Sequence, residues 1–466
     1  MIEINSLIKP SDLLPKIERL FELSGEKIQS IQNSLDVSKG APVFTVNGTY
    51  TSKGWTEWTQ GFLYGSAILQ YDATDEEKYL KIGRDNTLNF MASHLSHTGV
   101  HDHGFNNIST YGNLLRLILE DRIKSDKWER HFYELALKVS GAVQAARWTE
   151  LPGNLGYIYS FNGPHSLFSD TVRSLRVLAV SYKLGHVLMG ERDRKISLLE
   201  RLLKHAETTA RFNVYFGKGR DLYDICGRVV HESIFNLNDF SYRCPSTQQG
   251  YSPFSTWTRG LAWIITGYSE QLEFVETLSN EEIDNVNLSY YKDKKAVLEK
   301  FLETAQSAAD FYIENTPTDG IPYWDTGAPG LTKLGDYLNE PAKIDNDYEP
   351  VDSSAAAIAA QGFLRLGNYL KQKGKSQKGD FYCQAAYKIA FTLFSDNYVS
   401  LENDHQGLIL HSVYHRPNGW DFVPDGKKIP MGESTMWGDY HASELALMIK
   451  RMAENKPYLT FFGCLE

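Results

Sequence analysis

The chain has 466 residues, 42% hydrophobic and 13% aromatic, which is ample for a large buried core and lies outside the disordered range. Its formal net charge of −10, with no basic cluster set among alternating aromatics, excludes a nucleic-acid surface, so an acidic ligand would have to be drawn by locally placed Arg or His. No apolar run approaches membrane-spanning length and the start, MIEINSLIKPSDLLPKIERLF, has no basic stretch leading into an apolar one, so a cytoplasmic protein without a membrane partner is expected.

Apolar residues then recur at helical spacing through most of the chain. The first segment carries Leu13, Ile17, Leu20, Ile28 and Ile31, with Asp12 placed to cap it and Pro15 tolerable in its first turn. Similar segments near 56–71, 75–94, 105–120, 126–147, 167–189, 192–213, 255–278, 292–315, 353–370, 377–395 and 434–453 bring the count to twelve. Clusters such as Leu151-Pro152-Gly153-Asn154 and Gly327-Ala328-Pro329-Gly330 supply turn chemistry between them. Cys226, Cys244, Cys383 and Cys464 are widely spaced, with no CxxC pair, and read as free thiols in a reducing compartment. No Pro/Gly/Ser-rich linker divides the chain, so residues 1–466 are expected to form one domain.

An even number of helices joined mostly by short loops suggests helical hairpins packed side by side, and six hairpins can close into a ring. The inner helices of such a ring are small-residue-rich and apolar, as in Ser353-Ser354-Ala355-Ala356-Ala357-Ile358-Ala359-Ala360. Outer ones carry charge on one face, as where Glu191-Arg192-Asp193-Arg194-Lys195 leads into Leu198, Leu199, Leu202 and Leu203. A plain bundle or a helical repeat array competes with this reading, but no sequence period favours the array.

Three segments hold more Trp, Gly and polar residues than packing requires. Trp55-Thr56-Glu57-Trp58-Thr59-Gln60-Gly61 continues to Gly65, and two glycines four apart on one helix face point to close backbone approach. Gln249-Gly250-Tyr251 leads into a helix start that clusters Trp257, Arg259 and Trp263, and Trp437-Gly438-Asp439-Tyr440-His441 has the same character. Aromatic faces beside polar groups hold sugar rings, although large helical proteins also bury Trp for packing alone.

The segment His101-Asp102-His103-Gly104-Phe105 puts a carboxylate between two imidazoles. With His97 it offers metal-ligand types, but consecutive residues rarely converge on one ion and no HExxH spacing is present, so neither a metal nor another cofactor is expected. A catalytic Asp102 needs a partner, and Asp170 in Phe168-Ser169-Asp170-Thr171-Val172-Arg173 supplies one at the head of an apolar helix, where an N-cap is its simpler explanation. Two carboxylates held close in a partly dry cleft push their titrations apart.

The set HDHGF, SDTVRSL, QGYSPFSTWTRGLAW, DSSAAAIAA and STMWGDY, in that order over about 55–445, resembles glycoside hydrolase family 88, the unsaturated glucuronyl hydrolases. His103 departs from the pattern, which more usually has an apolar residue there. The resemblance implies an all-α (α/α)6 barrel and a substrate oligosaccharide whose non-reducing terminal uronic acid carries a C-4/C-5 double bond. Protonation at C-4 and addition of water at C-5 would give a hemiketal that opens and releases the remaining sugar. By position in the motifs Asp170 would act as acid and then base, with Asp102 stabilising positive charge and keeping Asp170 protonated. His231 would be a further catalytic residue. Gln249 and Arg259 would bind polar groups of the sugar, Arg259 forking its carboxylate, and Trp58, Trp257 and Trp263 would form walls. Three rival readings are a rhamnogalacturonyl hydrolase, a sugar 2-epimerase on the same barrel, and a noncatalytic glycan binder.

Overall fold

A computed structural model describes residues 1–4, 7–54, 57–462 and 465. Trp55, Thr56 and Cys464, which the sequence reading singled out, lie outside the described residues. Among the described residues twelve long helical segments pair as expected. The inner ones are Gln60–Thr74, residues 103–119, residues 171–183, Thr258–Glu276, Ser353–Gln372 and Met436–Ala453. Each packs on the next, and Met436–Ala453 packs back onto Gln60–Thr74, which closes the ring. Leu14–Ser34, Glu77–Phe90, Lys127–Ala146, Leu198–Phe212, Lys294–Glu314 and Ser376–Leu393 form the outer layer.

The two layers differ because their sequences differ. Along Ser353–Gln372 every residue from Ser353 to Gly367 is buried, whereas Lys127–Ala146 buries a stripe of Tyr133, Ala136, Leu137, Ser140, Gly141, Gln144 and Ala145, spaced to fall on one helix face. Inner helices also approach closely where the sequence has glycine. A Cβ at Gly61 would lie 2.3 Å from the Asn106 carbonyl oxygen, and one at Gly104 would lie 2.0 Å from that of Ser174. No side chain fits at either place, which accounts for glycine in the HDHGF motif and bears out the close approach expected at Gly61.

Two local expectations differ. Helix Leu14–Ser34 starts without an Asp12 cap, because Asp12 sits in a preceding turn and accepts from the Lys9 N–H at 2.8 Å. The segment read as helix from 167 opens as strand Ser166–Phe168, which pairs with Glu232–Phe235, itself paired with Tyr242–Ser246. This small sheet stands at the end of the barrel where the inner helices begin, and it becomes one wall of the site. Deeper among the inner helices lies a buried ion network, in which Glu270 and Glu444 join Arg173, Arg176 and Arg365 at 3.1–3.5 Å. It ties four inner helices together in the low-dielectric interior, where breaking one partner is expensive. Among the described residues no helix is long and apolar enough to cross a membrane.

Candidate active site

The inner helices all begin toward one end of the ring, and there a cleft of about 920 Å³ opens at the starts of four of them, Gln60–Thr74, residues 103–119, residues 171–183 and Thr258–Glu276. Helix starts carry partial positive charge and unpaired N–H groups, so this end favours an anion although the whole chain is acidic. Asp102, Asp170, Trp58, Gln249, Trp257, Arg259 and Trp263 all line the cleft. His231 stands directly behind its wall, 4.5 Å from the Phe168 ring and 4.6 Å from the Trp257 ring between centroids.

Both aspartates immediately precede a helix, and neither side chain caps it. His101 sits between them instead. Its Nε2 lies 3.2 Å from Asp170 Oδ1, a hydrogen bond, while its Nδ1 lies 3.7 Å from Asp102 Oδ2, close enough for charge attraction but too long for one. Burial works against charge on all three groups, and the neighbours decide the result. Asp102 is pushed up to about 6, by burial first and also by the like charge of Asp170, against the pull of His101. For Asp170 burial is outweighed by the His101 hydrogen bond and charge, aided by His231 and Arg259, and its carboxyl is held below the ordinary range. His101 is raised, its burial overcome by the two carboxylates. The protons near neutrality therefore belong to a set of three groups, not to an aspartate pair.

The turn that carries Asp102 is bolted to the helix that follows Asp170. Ser174 Oγ accepts from the Gly104 N–H at 3.0 Å and from Gln144 Nε2 at 3.1 Å, and donates to the His101 carbonyl at 2.8 Å. One hydroxyl thus spans Asp102 on both sides, and its donor and two lone pairs are all used. His103 faces the other way. It bonds Ser140 Oγ through Nδ1 at 2.9 Å and the His97 carbonyl through Nε2 at 2.8 Å, and burial depresses it to about 4. His103, where the sequence departs from the resembled pattern, is therefore turned toward an outer helix and does not line the cleft.

Arg259 differs most from expectation. Its guanidinium lies in the cleft wall, stacked 4.6 Å from the Trp257 ring, but its terminal nitrogens are occupied by protein. Nη1 bonds Asp352 at 2.9 Å and the Val413 carbonyl; Nη2 bonds Gln249 Oε1 and the Tyr414 carbonyl, both at 2.8 Å. A fork on a substrate carboxylate does not fit a side chain so used. What Arg259 does is fix Gln249: with Oε1 taken, the amide turns its N–H donors elsewhere. His231 is likewise a positioning group on this wall. Its Nδ1 accepts from the backbone N–H of Gln248 and of Gln249 at 3.0 and 3.3 Å, and burial depresses it to about 4.

The third aromatic segment is not part of the cleft lining. Trp437 is fully buried behind Trp58, stacked at 4.9 Å and donating to Ser354 Oγ at 3.0 Å. Asp439 holds a neighbouring loop, accepting from Tyr50 Oη at 2.6 Å and from the N–H of Leu408 and Ile409 at 2.9 Å. Sequence reasoning missed the bridging role of His101, which stood next to a named aspartate, and the contribution of Tyr414, His415 and Trp420. The run Tyr414-His415-Arg416-Pro417-Asn418-Gly419-Trp420 has the aromatic and polar mix used elsewhere as the signal and could have been found by it.

No protein-family model matches the chain. Among curated proteins it is similar to an unsaturated glucuronyl hydrolase of Formosa agariphila, 23% identical over 83% of this chain and 78% of that one. It is also similar to an unsaturated glucuronyl hydrolase of Bacillus sp. strain GL1, 26% identical over 89% and 90%. Among solved structures, unsaturated glucuronyl hydrolase from Bacillus sp. GL1 superposes with a TM-score of 0.67 at 22% identity, covering 92% of this chain and 96% of that one. A Streptococcus agalactiae unsaturated glucuronyl hydrolase variant complexed with dGlcA-GalNAc6S gives 0.63 at 18% identity, over 99% and 98%. The fold is the (α/α)6 barrel of these structures, and over most of its length the chain is a relative of the unsaturated glucuronyl hydrolases.

Proposed function

We propose that this protein is a hydrolase that removes a 4,5-unsaturated uronic acid from the non-reducing end of lyase-generated oligosaccharides, by hydrating the C-4/C-5 enol-ether double bond. The observation that carries the reading is the Asp102, His101, Asp170 set at the base of an aromatic-walled cleft ringed by helix starts. The relatives support the same activity, and a relative's complex with an unsaturated disaccharide supports the substrate class. They do not favour the rhamnogalacturonyl or epimerase alternatives.

Asp170 gives a proton to C-4, and positive charge develops on C-5 and the ring oxygen. Asp102 lies on the same side of the cleft and offsets that charge. Water then adds at C-5, its proton passing to Asp170, and the C-5 hemiketal opens to a ketone as the remaining sugar leaves from C-1. Catalytic groups in fixed places make the slow protonation of carbon feasible. Asp170 is the stronger acid of the pair in this structure, and a bound uronate, being a like charge nearby, raises its hold on the proton. His101 Nε2 can both supply and recover that proton. Gln249 presents amide N–H donors to the uronate or its hydroxyls. Trp58, Trp257 and Trp263 give the ring faces somewhere to stack.

The same reading takes residues 1–466 as one catalytic domain and places it in the cytoplasm, where Cys226, Cys244 and Cys383, free in this structure, would stay reduced. The test is optical. The conjugated enol-ether carboxylate absorbs in the ultraviolet, and the protein should bleach it on a lyase-generated disaccharide; a persistent band alongside tight binding would leave a glycan binder.

A further inference from the structure

Gln248 and Gln249 are neighbours on the cleft wall, and their amides are fixed by opposite charges. Arg259 takes the oxygen of Gln249 at 2.8 Å, whereas Glu232 takes the nitrogen of Gln248 at 3.1 Å. Glu232 is fully buried on the middle strand of the small sheet, Glu232–Phe235. Its other oxygen accepts from Asn162 Nδ2 at 2.9 Å and from Ser166 Oγ. A carboxylate with three such donors only accepts, so both amides must turn their nitrogens to it and their carbonyl oxygens the other way. Asn162 and Gln248 both line the cleft, and each spends an amide nitrogen on Glu232.

We infer that Glu232 sets a specificity of the cleft: by orienting Asn162 and Gln248 it makes that wall a surface of acceptors, which takes a hydroxyl or acetamido N–H of the sugar and turns away a sulfate ester at the same place. A sulfate carries negative charge and no donor, so it meets two carbonyl dipoles with their negative ends toward it and leaves them unpaired. Arg259 and Gln249 give the adjacent strip the reverse polarity, which suits the uronate. The cleft thus separates an anion-accepting strip from an anion-rejecting one within two consecutive residues. This inference rests on the reading of the cleft as a sugar site.

The experiment compares an unsulfated unsaturated uronyl disaccharide with isomers singly sulfated at each available position, using the whole protein and its Glu232→Gln variant. The parent should turn over at least one sulfated isomer with kcat/KM at least about ten-fold below the unsulfated compound, the scale on which unpaired polar groups discriminate. Glutamine at 232 offers a donor as well as an acceptor, so the two amides are free to flip, and the same ratio should narrow at least about five-fold. Equal use of every isomer by the parent, or an unchanged ratio in folded Glu232→Gln, would overturn the inference. Should Glu232→Gln not fold, Gln248→Ala and Asn162→Ala remove the acceptors one at a time and must narrow the same ratio. If the parent bleaches none of these compounds, the hydrolase reading fails separately. The ratios are then read as dissociation constants by calorimetry, where equal affinity for all isomers overturns the inference.

Discussion

Asp170 stands at the head of an inner helix and caps none of it; its carboxyl is bonded by His101 Nε2 at 3.2 Å. An aspartate kept only for helix capping would bond the backbone N–H groups ahead of it. This one is instead drawn out of the ordinary carboxylate range by a histidine that also faces a second carboxylate.

Asp170→Asn should therefore remain folded, with a stability loss no greater than about 3 kcal/mol, the upper worth of one hydrogen bond to a charged group. Turnover should fall at least about a hundred-fold, because an amide can neither protonate carbon nor take a proton from water. Thermal unfolding and the ultraviolet assay measure the two effects separately; near-native turnover would return Asp170 to a structural role.

Asp102→Asn should alter the pH dependence of kcat/KM. In the parent, Asp102 titrates near 6 because it is buried beside Asp170, so a limb is expected there. The variant should lose that limb, and Asp170, freed from a like charge, should ionise at lower pH. A pH profile identical in shape to the parent would mean the two carboxyls do not interact.

Arg259→Lys keeps the charge but cannot serve Asp352, Gln249 and the Val413 and Tyr414 carbonyls together. The expected result is a stability loss of about 1.5–3 kcal/mol, for charged hydrogen bonds lost in a buried place, together with a raised KM as Gln249 is released. A raised KM with unchanged stability would instead point to direct contact between Arg259 and the substrate.

Chelators should leave the activity unchanged. The side chains of the HDHGF segment diverge, His101 toward Asp170 and His103 toward Ser140, so they do not converge on one ion. Activity lost with a chelator and restored by one divalent ion would end the metal-free mechanism.

Stability should fall as pH rises through neutrality, in part through Asp439. Burial pushes its carboxyl up to about 7, from an ordinary value of 3.8. The unfolded chain loses this proton at lower pH than the folded one, so the contribution is whole below about pH 4 and is lost as pH rises through about 7. Asp439→Asn keeps an acceptor for Tyr50 without the charge. Unfolding measured at about pH 5 and about pH 8 should show the parent losing at least about 1 kcal/mol more than the variant, one pKa unit being worth about 1.4 kcal/mol. Equal losses would place the effect elsewhere.

The sequence by itself determined the twelve helical segments and the contrast between apolar inner and one-faced outer helices, because helical periodicity and the width of the apolar face are local properties that survive without knowledge of partners. The run Ser353–Ala360 and the glycine at 61 already carried the inner ring. It also named seven residues that line the cleft, since they fall at helix starts in motifs with more Trp, Gly and charge than packing needs. What only the tertiary structure decided is where each polar group spends its bonds. Arg259 looked like a carboxylate fork until the loop 413–414 and Asp352 were seen to occupy it. His101 stood only as one of two imidazoles flanking Asp102 until residue 170 was brought 3.2 Å from its ring. Hydrogen bonds and pKa values depend on partners 69 to 155 residues away in the chain, and no local pattern encodes which long-range partner arrives.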